Sequence, residues 1–141
     1  MRLRFPPIAT ALLLAAHAFA VPAGAQTTQD AEPDALRVYF TSGSARIDHE
    51  QEATLDQAAR LFREGSPIVM VVAGGADTVG RPSRNLSLSV RRAEAVVDGL
   101  VARGIPADRL QLLGRGNSEL KVETGEGVDL RENRVVEITW R

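Results

Sequence analysis

Seven consecutive residues, "IVMVVAG" (Ile68–Gly74), form an apolar, β-branched run without one polar interruption. A strand with one wet face alternates apolar and polar residues, so an unbroken run suits a strand inside a sheet, covered by helices. The flanking patterns supply such helices. Upstream, Leu55, Ala58, Ala59 and Phe62 recur at helical spacing. Asp48 and Gln51 stand before them as a capping box, and Gly65 with Pro67 stops the pattern. Downstream, from Asn85, the residues Leu86, Val90, Ala93, Val97 and Leu100 trace one apolar stripe that Gly104 ends. "LRVYFT" (Leu36–Thr41), "LQLLGRG" (Leu110–Gly116) and "RVVEITW" (Arg134–Trp140) read as three further strands. The order β-α-β-α-β-loop-β predicts an α/β two-layer sandwich, a mixed four-stranded sheet with two helices on one face. Right-handed crossovers are expected to set the first three strands in parallel pairs, the last being added through the long loop "NSELKVETGEGVDLREN".

The first residues carry a different signature. Arg2 and Arg4 precede an apolar run, and "AGA" at Ala23–Ala25 has the small residues of a signal-peptidase site. The run is short for a membrane span, which needs roughly 20 apolar residues. We therefore expect a signal peptide over residues 1–25, a disordered lead-in over 26–35 and one domain over 36–141. The alternative is a retained N-terminal anchor. An exported, periplasmic chain without cysteine has neither a disulfide framework nor a thiol for lipid attachment, so its fold must rest on its core. The formal net charge is −1, with 17 basic and 18 acidic residues. No basic face for nucleic acid follows from that balance. Lys121 is the single lysine, so arginine is the chain's default cation and a lone arginine carries little information.

The most informative stretch is "GGADTVGRPSRNLSLSVRRA" (Gly74–Ala93). Gly75 and Gly80 have the spacing of a phosphate loop, G-x-x-x-x-G-K-S/T, but Arg81 and Pro82 replace the lysine and the hydroxyl. Outside the expected signal peptide His49 is the only histidine, so a Ser-His-Asp triad would have to use it; it sits in "DHE" at a helix start and reads as a solvated turn. One histidine beside two acids does not make a metal site, and we expect no enzyme activity, cofactor or metal. A zwitterion site fits better. Asp77 follows the central strand at its carboxyl end, where α/β sheets commonly hold ligands. Asn85, Ser89 and Arg92 lie at i, i+4 and i+7, within about 60° of one another on the first turns of the next helix. An arginine fork suits a carboxylate, and an aspartate suits an ammonium. A plain alternative is an Asp77–Arg92 salt bridge tethering loop to helix, with Asn85 as its N-cap. The residues leave both open.

These residues resemble the OmpA-like domain, a peptidoglycan-binding family found in outer-membrane porins, peptidoglycan-associated lipoproteins and flagellar stators. The family's motif, roughly G-H-T-D-x-x-G followed by Y-N-x-x-L-S-x-x-R-A, is matched by Gly74, Asp77, Gly80, Asn85, Leu88, Ser89, Arg92 and Ala93. The likeness runs through "VYFTSGSARI", "GIPADRLQLLGRGNSE" and "NRVVEI". It implies non-catalytic binding of cell-wall peptidoglycan at the diaminopimelate end of the stem peptide, in the periplasm. Asp77 would take the ammonium and Arg92 the carboxylate. Asn85 would support the site, Arg134 would line it, Thr78 would stand beside Asp77, and Thr41, Ser42 and Gly43 would form the opposing rim. Envelope proteins are the other class of partner. Gly75-Ala76 stand where the family has His-Thr, Arg84 where it has an aromatic residue, and Val135 where it has a second arginine. Such changes strip hydrogen-bonding groups from the site while keeping its charges. The alternative they raise is a protein-protein interaction module of this fold that no longer binds the wall.

Overall fold

The computed structural model describes residues 35–66 and 69–141, so the expected signal peptide and nearly all of the lead-in lie outside the described residues. The elements are β1 (Leu36–Tyr39), α1 (Glu52–Gly65), β2 (Met70–Gly74), α2 (Pro82–Ala102), β3 (Leu110–Gly114) and β4 (Val135–Trp140). They form a four-stranded sheet in the order β1-β4-β2-β3. The expected two-layer α/β fold is therefore present. Its expected pairing is not, because β1 and β2 are not neighbours. β4 lies between them, antiparallel to both, and only β2 and β3 form a parallel pair. The crossover rule sets handedness but not adjacency. Adjacency follows burial: Val136 and Ile138 of β4 are completely buried, as a central position requires.

One face of the sheet carries the core. Val38, Met70, Val72, Val136 and Ile138 pack against Leu55, Ala58 and Ala59 of α1 and Ala93, Val96 and Leu100 of α2. The alternate strand residues Val71, Glu137 and Thr139 are half-buried, and Gln111 and Leu113 are exposed. Arg103, at the end of α2, ties the two helices together through Glu52 and through Asp56 at 2.7 Å.

Local signals fared unevenly. The capping box does not form. Asp48 makes no side-chain cap hydrogen bond, and Gln51 is spent elsewhere, its Oε1 accepting the Tyr39 N–H at 2.8 Å. The stripe of α2 is also rotated from the expected one. Its buried residues are Asn85, Leu88, Ser89, Arg92, Ala93, Val96 and Leu100, whereas Leu86 is 49% exposed. The polar residues Asn85, Ser89 and Arg92 thus lie on the inward face itself.

Gly74 explains how a helix with polar residues inside can lie so close to the sheet. A Cβ at Gly74 would stand 2.0 Å from the Ser89 carbonyl oxygen, and one at Gly114 would stand 2.4 Å from Val90 Cγ2. The absence of side chains on neighbouring strands lets the amino-terminal half of α2 descend onto their ends. Gly74→Ala should therefore push α2 off the sheet and cost about 3 kcal/mol, as overpacking of a tight core does. Urea unfolding measures it, and an unchanged midpoint would refute the close approach.

Candidate functional site

β2 delivers the chain to the carboxyl edge of the sheet, and the hydrogen-bonded ladder continues a little further. Gly75 N–H donates to Val135 O at 2.8 Å and Ala76 N–H to Gly116 O at 2.7 Å. Asp77 comes next, flanked by the ends of β3 and β4 and 5% exposed. Its Oδ1 accepts the Val79 N–H at 3.2 Å, an Asx turn that is followed by Gly80 at φ +87°. Its backbone oxygen accepts from Asn85 Nδ2 at 3.1 Å. Asn85 therefore braces the Asp77 loop and is no N-cap, since the N-cap position is Arg81 with Pro82 following it.

Arg92 is the largest fully buried side chain. Its Nε donates to Ser44 O at 2.8 Å, its Nη1 to Gly75 O at 3.0 Å and its Nη2 to Thr41 O at 3.2 Å. The guanidinium also stands 5.4 Å from the centre of the Phe40 ring. Burial lowers its pKa from the usual guanidinium range to about 10; Asp77 opposes that shift, and Arg134 and Arg91 add to it. It is charged at neutral pH, with its field turned towards carbonyl dipoles rather than a counter-ion.

The counter-ion of Asp77 is Arg134. Its Nη1 lies 3.2 Å from Asp77 Oδ2, with side-chain exposures of 12% and 8%. The same Nη1 contacts Asp129, whose side chain is 60% exposed, and Nε donates to Phe40 O at 2.9 Å. One guanidinium thus draws together the loop after β2, the end of β1 and the loop before β4. Removing either member of such a half-sealed pair strands the other charge away from water.

The remaining expected residues fall in two groups. Thr41, Ser42 and Gly43 are exposed and form a turn closed by Ser44 N–H to Thr41 O at 3.1 Å; the Thr41 hydroxyl donates to Asp48 at 3.1 Å. Thr78 bonds to a different segment. Its hydroxyl donates to Gly125 O at 2.6 Å and accepts the Val128 N–H at 3.0 Å, pinning the long loop. Asn133 pins the same loop through two 2.8 Å bonds to the Val122 backbone. His49 is exposed. Among the described residues no three histidine or acidic side chains gather as a metal site would need. Sequence reasoning missed Asp129, Phe40 and the three carbonyls on Arg92. Backbone oxygens leave no mark in a sequence, and Asp129 reaches the site only because the loop folds back.

Two consequences can be measured. Arg92→Met fills a similar volume but leaves the carbonyls of Ser44 and Gly75 without their donor and that of Thr41 with only the Ser44 N–H, so it should cost about 3 kcal/mol in urea unfolding. Arg92→Lys should recover only part of this, because an ammonium lacks the planar fork. A methionine variant as stable as the parent would show that those three bonds contribute nothing net.

Comparison with known proteins identifies the arrangement. The chain is 42% identical over 86 residues to outer membrane protein A of Yersinia pseudotuberculosis, covering 57% of this chain and 24% of that protein. It is 34% identical over 83 residues to the peptidoglycan-associated lipoprotein of Rhizobium meliloti, covering 59% and 47%. The chain thus spans at most about half of these relatives' length. Among solved structures, the peptidoglycan-associated lipoprotein of Burkholderia pseudomallei has the same fold, with a TM-score of 0.69 at 23% identity over 74% of this chain and 89% of that one. The periplasmic domain of Helicobacter pylori MotB follows with a TM-score of 0.62 at 18% identity over 74% and 73%. The model of the OmpA family matches residues 39–134, from the last residue of β1 to the arginine that holds Asp77, and the chain belongs to that family.

Proposed function

We propose that this chain is a non-catalytic binder of cell-wall peptidoglycan in the periplasm, gripping the zwitterionic diaminopimelate end of the stem peptide. The observation that carries the reading is the convergence of a buried carboxylate and two guanidiniums at the carboxyl edge of the sheet: Asp77, Arg134 at 3.2 Å and Arg92, with the exposed Asp129 beside Arg134. An amino acid's end presents an ammonium and a carboxylate a few ångströms apart, and such a site can answer both. Asp77 takes the ammonium. Arg92 and Arg134 supply the field for the carboxylate, Asn85 keeps the Asp77 loop in place, and the Thr41–Gly43 turn forms the rim. Family membership and the names of the relatives, an outer membrane protein and a peptidoglycan-associated lipoprotein, support the same envelope role.

A second reading has its own support. Asp77 and Arg92 are 5% and 0% exposed, and each already has partners within the chain. A domain that has turned its charged site into internal structure would serve instead as a docking module for envelope proteins.

Co-sedimentation with purified sacculi separates the two. The chain should pellet with the sacculi, stay in solution without them, and be released by free diaminopimelate. Asp77→Asn, close to the native shape, should weaken binding roughly tenfold or more through loss of a charge-assisted bond. A folded parent chain that remains in the supernatant at any load of sacculi would sink the wall-binding reading and leave the docking one.

A further inference from the structure

The segment entering β4 carries a second guanidinium, Arg131, which the candidate site does not use. Its Cζ stands 4.3 Å from the centre of the Tyr39 ring, and it makes no side-chain hydrogen bond or ion pair among the described residues. Tyr39 is itself held, its N–H bonded to Gln51 Oε1 at 2.8 Å. Arg131 is thus positioned by stacking while its five N–H donors stay unclaimed. Arg134, locked through Nε and Nη1, keeps Nη2 without a hydrogen-bond partner among the described residues. Both arginines line a cleft of about 240 Å³ that also takes in Thr41 and, from the start of the first helical segment, Asp48 and Glu50. Thr41 belongs to the rim of the candidate site as well, so the two spaces adjoin. Their states differ: Asp77 and Arg92 are sealed and internally bonded, whereas Asp48, Glu50 and Arg131 are exposed.

Two guanidiniums with donors to spare, one resting on an aromatic ring, make a carboxylate site; carboxylates beside them accept amide N–H groups. We propose that this cleft is a second subsite, taking the carboxylate of an acidic residue amide-linked to the zwitterionic end held at Asp77. The inference rests on the peptide-end reading of the Asp77 site. It makes the recognised unit an acidic dipeptide rather than a single amino acid, with Arg131 as its specificity-determining residue.

Calorimetric titration with three compounds tests it: diaminopimelate, its γ-glutamyl derivative and its alanyl derivative, which lacks the extra carboxylate. The parent chain should bind the glutamyl compound roughly tenfold more tightly than the alanyl one, as a charge-assisted contact supplies. Arg131→Ala, an exposed substitution, should bring the glutamyl compound down to the alanyl affinity, and Arg131→Lys should restore part of the preference. Equal binding of the two derivatives by the parent, or a preference that survives Arg131→Ala, would overturn the subsite. So would an equal loss for all three compounds, which would mean that Arg131 acts only through the first site. A parent chain that binds none of the three, diaminopimelate included, fails at the earlier step and removes the peptide-end reading along with this one.

Discussion

A buried guanidinium organises this domain. Arg92 leaves the third turn of α2 and donates to carbonyls of the turn after β1, at Thr41 and Ser44, and of the residue that follows β2, Gly75. Three segments far apart in sequence are thereby held to one rigid group. A cation is costly to desolvate, and the depression of its pKa to about 10 reflects that cost. An apolar residue there would avoid that cost but leave the buried carbonyls of Ser44 and Gly75 without a donor. Its value lies in fixing the geometry around Asp77, whose position depends on the same end of β2.

Around that anchor the site is built from close approaches rather than bulk. Glycines at the ends of β2 and β3 let α2 descend, and Ser89 uses the proximity to accept the Gly116 N–H at 2.8 Å while donating to Leu86 O. The departures from the family motif become intelligible in this setting. A Cβ at Gly75 would stand 3.2 Å from the carbonyl oxygens of Asn133 and Val135, tight enough that a histidine there requires the neighbouring strand to give way. Ala76 is 1% exposed, so its small side chain serves packing. Val135, where the family has an arginine, is buried too. The charged groups that survive are those held from several sides, Asp77, Arg92 and Arg134, and Asp129 joins them from the long loop.

Elements were legible where one period ran long enough. The uninterrupted run before Gly74 announced a central strand, and three buried positions of α1, with Phe62 packed against the core beside them, followed from helical spacing. Shorter signals misled. Asp48 and Gln51 have capping-box spacing, yet the exposed edge of β1 offered Gln51 a better partner in the Tyr39 N–H. On α2, counting apolar residues alone put Leu86 inside, because the polar Asn85, Ser89 and Arg92 seemed unfit for a core. They are fit for it because backbone carbonyls and the Asp77 loop satisfy them there.

The sequence by itself determined the order of strands and helices, the two-layer class and that Asn85, Ser89 and Arg92 share one side of α2, because all of these depend on local periodicity. Only the tertiary structure decided that β4 slips between β1 and β2, that Asp77 pairs with Arg134 rather than Arg92, and that Asp129 and Arg131 come to the same corner. These are contacts across 50 or more residues or through a folded-back loop. They are selected by burial and by carbonyl groups that every residue carries alike, so no pattern of side chains can announce them.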